Sequence, residues 1–89
     1  MPLERAYRLS GRPVLKGIVR NGLGSEFGAA WGELQFKPRE PSLGVHVLRG
    51  LTDRSVEPRH MVRVGPFWLY YLVDDDLRVV YLLDLIPIA

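Results

Sequence analysis

Residues 59–89 read almost without interruption as an antiparallel β-meander, and this constrains the fold of the chain more than any other feature. Residues 60–64, 67–73 and 78–86 are runs of β-branched, aromatic and aliphatic side chains, broken by Gly65-Pro66 and by Asp74-Asp75-Asp76. Strand chemistry and turn chemistry therefore alternate. Glycine supplies free dihedrals and proline a fixed φ at the first break, and carboxylates that bond to nearby backbone N–H groups mark the second. Three strands joined this tightly pair with their sequence neighbours.

With 89 residues, the chain makes one domain, 1–89, which buries only roughly three-fifths of the surface that its unfolded form exposes. It has no cysteine and only two histidines, His46 and His60. Disulfides and thiolate metal sites are thereby excluded, and a structural zinc site has too few soft ligands. No segment reaches the roughly twenty apolar residues needed to cross a bilayer, and residues 1–10 carry Glu4, Arg5 and Arg8 instead of an apolar signal core. The expectation is a soluble, intracellular protein, cytoplasmic and without a membrane partner. Charge is uneven: residues 1–49 hold eight Lys or Arg against four Asp or Glu, and residues 50–89 hold four against six. The basic half could meet phosphate or an acidic partner, although such an imbalance is also common on ordinary solvated surfaces.

Upstream of the meander, residues 6–9 suit a short edge strand with Tyr7 and Leu9 on one face. Ser10 offers an N-cap and Pro13 an early helical position, after which Val14, Leu15, Ile18 and Val19 recur at helical spacing and Asn21-Gly22 ends the helix. Ser25 is a second expected N-cap. Phe27, Ala30, Trp31 and Leu34 then form the i, i+3, i+4, i+7 stripe of a helix that buries one face. Gly28 and Gly32, four apart, would admit a close approach of another backbone. Lys37-Pro38-Arg39-Glu40-Pro41 stops this helix, and residues 42–58 read as a connection. There is no internal repeat or low-complexity tract.

The order β, α, α, connection, β, β, β carries a resemblance. Lys37-Pro38-Arg39, Leu48-Arg49-Gly50, residues 61–75 from Met61-Val62-Arg63-Val64-Gly65-Pro66 through Asp74-Asp75, and Arg78-Val79-Val80-Tyr81-Leu82-Leu83 together look like the RelE/ParE superfamily of toxins from bacterial toxin–antitoxin modules. The resemblance spans almost the whole chain in element order and spacing, on motifs that are individually short. It implies an α+β fold in which a two-helix hairpin packs on a twisted antiparallel sheet. It also implies one of two activities, ribosome-dependent messenger RNA cleavage or poisoning of DNA gyrase, without a metal or organic cofactor and with an antitoxin protein as partner.

In the RNA-cleaving branch, cationic side chains on the sheet bind phosphates and stabilise charge on the scissile group while the 2′-hydroxyl attacks. Matched to that pattern, Arg59 and Arg63 are the candidate catalytic cations. Their even separation puts them on one face with Met61, while His60, Val62 and Val64 face the other way. Lys37, Arg39 and Arg49 are candidate nucleic-acid contacts. The plainer reading of Arg59 and Arg63 is a solvated surface. Two departures from the pattern bear on activity. Trp68 stands where an arginine is expected, and the sequence reaches Ile88-Ala89 where the nucleases usually continue with a basic stretch and an acid/base residue. His60 titrates near neutrality, but its parity sets it opposite the arginines.

The run 67–73 is apolar on both parities, with Phe67, Leu69, Tyr71 and Val73 on one side and Trp68, Tyr70 and Leu72 on the other. Helices can cover only one side, so Trp68, Tyr70 and Leu72 form a candidate partner surface, extended by Val80 and Leu82 or by Tyr81 and Leu83. An antitoxin, a second copy of the chain or the 42–58 connection could cover it. Asp74 to Asp76 are assigned to the turn, since a hard cation needs more oxygens than one acidic run supplies. Two function classes follow: a toxin-like component acting on translation or gyrase, or a non-catalytic interaction module or homo-oligomer that retains the fold.

Overall fold

The computed structural model describes residues 6–39, 46–48 and 59–88. The elements are β1 (Arg8–Ser10), α1 (Arg12–Arg20), α2 (Gly24–Leu34), β2 (His46–Leu48), β3 (Arg59–Val64), β4 (Phe67–Asp74) and β5 (Val79–Pro87). They form a five-stranded sheet in the order β1-β5-β4-β3-β2. The expected meander β3-β4-β5 is antiparallel throughout. At one edge β1 runs parallel to β5, and at the other β2 runs antiparallel to β3, so the sheet is mixed.

One face of the sheet carries the core. Val62 and Val64 of β3, Leu69, Tyr71 and Val73 of β4, and Val80 and Leu82 of β5 pack with Ile18, Leu23, Phe27, Ala30 and Leu34 from the helical hairpin. The α2 stripe is as the spacing predicts: Phe27, Ala30 and Leu34 are buried and Trp31 is half-buried. In α1 only Ile18 is fully buried, and Val19 points to solvent at 75% exposure. Val19 is therefore not part of the helix's core face. Gly28 and Gly32 are exposed, and a Cβ on either would meet nothing within 4 Å, so no backbone approaches there.

Neither serine caps a helix. The α1 N-cap is Gly11 at φ 126° and the α2 N-cap is Leu23, with no side-chain cap bond at either. The reason is steric at the first. A Cβ on residue 11 would lie 2.7 Å from Leu82 Cβ and 2.8 Å from Leu82 O, so the chain turns from β1 into α1 on the residue after Ser10. At the second, Leu23 N–H donates to Ile18 O at 2.9 Å and Gly22 N–H to Val19 O at 3.0 Å. With Gly22 at φ 69° this is the two-bond left-handed C-cap, accompanied by burial of Leu23 and Ile18. Helix α2 starts directly from it, which places Ser25 inside the first turn.

Strand β2 falls within the stretch read as a plain connection. Its register, His46 to Met61 and Leu48 to Arg59, extends the sheet by one strand beyond the sequence reading. The remainder of residues 42–58 lies outside the described residues. Strand β5 holds a further departure from simple alternation. Tyr70 pairs with Asp84 but Tyr71 pairs with Leu82, so Leu83 is an extra residue. This bulge resets the parity. Val80, Leu82 and Leu85 face the core, whereas uninterrupted alternation would have put Asp84 there.

Candidate functional site: the open sheet face

Among the described residues no helix covers the second face of the sheet, whose residues alternate with the buried ones, and cover by the 42–58 connection lies outside the described residues. Arg59, Met61 and Arg63 of β3 face this side, as do Trp68, Tyr70 and Leu72 of β4 and Tyr81 of β5. Strand register sets the neighbours across it: Arg63, Trp68 and Ile86 form one row, Met61, Tyr70 and Asp84 the next, and Leu72 pairs with Tyr81. Arg59 and Arg63 are exposed, whereas Met61, Trp68, Tyr70, Leu72 and Tyr81 are half-buried. The structure thus brings five of the eight expected site residues, Arg59, Arg63, Trp68, Tyr70 and Leu72, onto one surface.

Arg63 lies four residue steps along β3 from Arg59, about 13 Å at the backbone. That span suits a polyanion lying along β3 better than a single phosphate. Arg63 is oriented by its Nε, which donates to Gly65 O at 3.1 Å in the adjoining turn. Acidic groups lie on the other side of the face. Asp84 stands across from Tyr70, and a pocket of about 410 Å³ at the far end is bounded by Leu72, Tyr81 and Asp74 to Asp76. Negative potential there opposes phosphate, so any polyanion on this face would be confined to the β3 side. Of the extensions considered from sequence, Tyr81 joins this face; Val80 and Leu82 belong to the core, and Leu83 is the bulged residue.

His60 is 3% exposed on the core side, with its ring 5.3 Å from that of Tyr71. It is a packing residue and does not reach the arginines. The Tyr71 hydroxyl donates to Pro38 O at 2.6 Å, and burial pushes the phenol well above its ordinary pKa. This bond ties the end of the helical hairpin to the middle of the sheet.

Lys37 and Arg39 lie beyond α2, not in the sheet. Lys37 is exposed. Arg39 donates from Nη2 to Asp75 Oδ2 at 2.7 Å, while the Tyr7 hydroxyl donates to Asp75 Oδ1 at 2.7 Å and the Arg78 guanidinium sits 4.4 Å above the Tyr7 ring. The hydrogen bonds from Tyr7 and Arg39 hold the Asp75 carboxyl below its ordinary range, and the bond to Asp75 raises the Tyr7 phenol. Arg39 thus has a structural engagement in addition to any nucleic-acid contact. Arg49 lies outside the described residues. Asp74 keeps its expected turn role, accepting from Leu77 N–H at 2.9 Å. Among the described residues no group of acidic or histidine side chains could hold a metal ion, and no helix is long and apolar enough to cross a membrane.

Sequence reasoning missed Asp84 as a member of this face and the Tyr7–Asp75–Arg39 cluster. A bulge is visible only once the partner strand is known, and the cluster joins positions 68 and 36 residues apart. Neither has a local signal.

No protein-family model matches the chain, and no curated protein does so. Among solved structures it matches the archaeal RelE–RelB complex from Pyrococcus horikoshii OT3, with a TM-score of 0.73 and 22% sequence identity over 94% of this chain and 97% of that one. The fold is therefore RelE-like: a helical hairpin on one face of a five-stranded sheet.

Proposed function

We propose that the chain is a toxin-like component of a type II toxin–antitoxin module, restrained by an antitoxin protein and acting on translation through its open sheet face. The RelE-like fold supports the module, since the similar structure is a RelE–RelB complex. One observation carries the assignment of the surface: Arg59 and Arg63 stand exposed beside half-buried Trp68 and Tyr70 on the face that no helix covers. Cations that track a backbone next to aromatic rings that stack on bases make a single-stranded RNA surface.

Binding and cleavage separate at Trp68. In the RNA-cleaving pattern an arginine at this position meets charge that develops on the phosphorane, and an indole can do no such work. Loss of one preorganised donor of this kind typically costs about 10²–10³ in rate. The chain then binds messenger RNA in the ribosomal A site and cleaves it slowly or not at all. Such a target would place the protein in the cytoplasm.

The test is purified protein in a reconstituted translation system, with RNA ends mapped by primer extension and ribosome binding measured in parallel. The expected result is binding that weakens when Arg59 and Arg63 become alanine, with little cleavage. Robust A-site cleavage lost in the same double variant would locate the site correctly and refute the role given to Trp68. Growth arrest on expression with intact RNA would transfer the target to gyrase. A second reading rests on the apolar content of the same face, Trp68, Tyr70, Leu72 and Tyr81, which also suits a protein partner or a second copy. Absence of any arrest together with a stable homodimer would favour it.

A further inference from the structure

We infer that the outward face of α1, on the opposite side of the molecule from the open sheet face, is a docking groove for an acidic, amphipathic segment of a partner protein. The groove is shallow and open to solvent, about 540 Å³ in volume, and is lined by Arg12, Leu15, Lys16, Val19 and Arg20. Two helical periods interleave in it: the cations at 12, 16 and 20, and the aliphatic residues at 15 and 19. Val19 is 75% exposed, the most exposed of the large hydrophobic residues among those described, and α1 contains no acidic residue to neutralise its three flanking cations. The cations repeat about every 6 Å along the axis, which matches carboxylates spaced i, i+4 on an apposed helix whose apolar stripe would sit on Leu15 and Val19.

Other occupants fit less well. A nucleic acid would use the cations but gain nothing from the aliphatic floor between them. A membrane surface needs a broad apolar face, and Ile18, Val14 and part of Leu15 pack against the core, which leaves Val19 and the outer side of Leu15. A second copy would bring an equally cationic α1, the Asp74–Asp76 turn, where Asp74 and Asp75 are already engaged, the single Asp84 of the sheet, or α2 with Glu26 and Glu33 seven apart, and none of these sets carboxylates four residues apart on a helix. The inference does not depend on the toxin reading, since it concerns a different surface and holds for any partner of this chemistry.

The test is selection of a random 12-residue display library on the intact protein, followed by titration of the enriched peptides. Enrichment of sequences combining Asp or Glu with Leu, Ile or Val at helical spacing is expected. Their affinity should fall at least tenfold with Lys16→Glu or with Val19→Glu, and at least tenfold between 50 mM and 500 mM NaCl. Both positions are exposed, so the variants should melt like the parent. No enrichment, enrichment of basic or uncharged peptides, or affinities unchanged in both variants would overturn the proposal. So would a single-stranded RNA oligomer or phosphatidylglycerol vesicles binding in a Lys16-dependent way while the peptides do not, or self-association abolished by Lys16→Glu.

Discussion

Gly11 is the residue whose identity the fold can least change. Its φ of 126° lies where side chains are strained, and a Cβ would press on both Leu82 Cβ and Leu82 O, at 2.7 and 2.8 Å. Backbone cannot yield as a flexible side chain does, so both penalties add. Gly11→Ala should cost about 2–3 kcal/mol, which for a domain of this size lowers Tm by roughly 10 °C or more. A Tm within 2 °C of the parent in thermal denaturation would mean that the β1–α1 turn does not approach β5 so closely. Contrast Gly28 and Gly32, which look equally special in sequence and face open space. A glycine's spacing does not reveal whether it is needed; the atoms around it do, and at Gly11 these come from a strand 71 residues later. Residue chemistry was more legible where it is local. The parity of His60 already sets it apart from Arg59 and Arg63, and it is buried against Tyr71 as that parity requires.

Two features of the elements follow from contacts that only pairing creates. Asp75, at the β4–β5 turn, accepts from both Tyr7 and Arg39 and so pins the chain ahead of β1 and the segment after α2 to one hairpin tip. The carboxyl pKa is held below its ordinary 3.8, so its contribution is present at neutral pH and disappears as pH falls through the depressed value. The Tyr7 phenol is raised above its ordinary 10.0, so its share is complete below that value and is lost as pH climbs through the raised one. The Tm difference between the parent and Asp75→Asn should therefore be greatest across neutral pH and shrink at both extremes. A difference independent of pH from 2 to 11 would remove the ionised carboxylate from the account. The bulge in β5 gives a second expectation. Deleting Leu83 restores regular pairing and leaves Val80, Leu82 and Leu85 facing the core, so stability should change by only about 1 kcal/mol. Deleting Leu72 from unbulged β4 turns one half of that strand inside out and should prevent folding. Circular dichroism melts of the two deletions distinguish them, and equal loss in both would contradict the register. The element order, the α2 stripe and the meander were readable because each depends on periodicity within one segment. Strand β2, the helix N-caps and the bulge were not, because each depends on what lies opposite.

At the scale of the molecule, the sheet has one side on which the helical hairpin builds the core and one side that no described helix covers. Under the proposed function, arginine on that second side would act through charge, so a salt series can separate it from packing. If Arg59 and Arg63 each neutralise one phosphate of a single-stranded RNA, replacing both by alanine should lower the slope of log affinity against log salt by about 1.4, roughly 0.7 for each contact. An unchanged slope would exclude them from the interface. The surface then makes one demanding prediction about Trp68, which lies directly across from Arg63 and beside Ile86. Trp68→Arg installs the cation that the RNA-cleaving pattern expects at a position already facing another guanidinium. Like charges opposite one another destabilise a sheet pair by up to about 1 kcal/mol, and Tm should fall by roughly 4–8 °C. Against that loss, a second preorganised cation at the scissile phosphate should raise the rate of ribosome-dependent cleavage at least about tenfold, within the 10²–10³ that such a donor can contribute. The gain should vanish when Arg63→Ala is added, because the two guanidiniums act on one phosphate group. A folded Trp68→Arg protein that binds ribosomes and cleaves no faster than the parent would show that the missing arginine is not what separates this surface from catalysis.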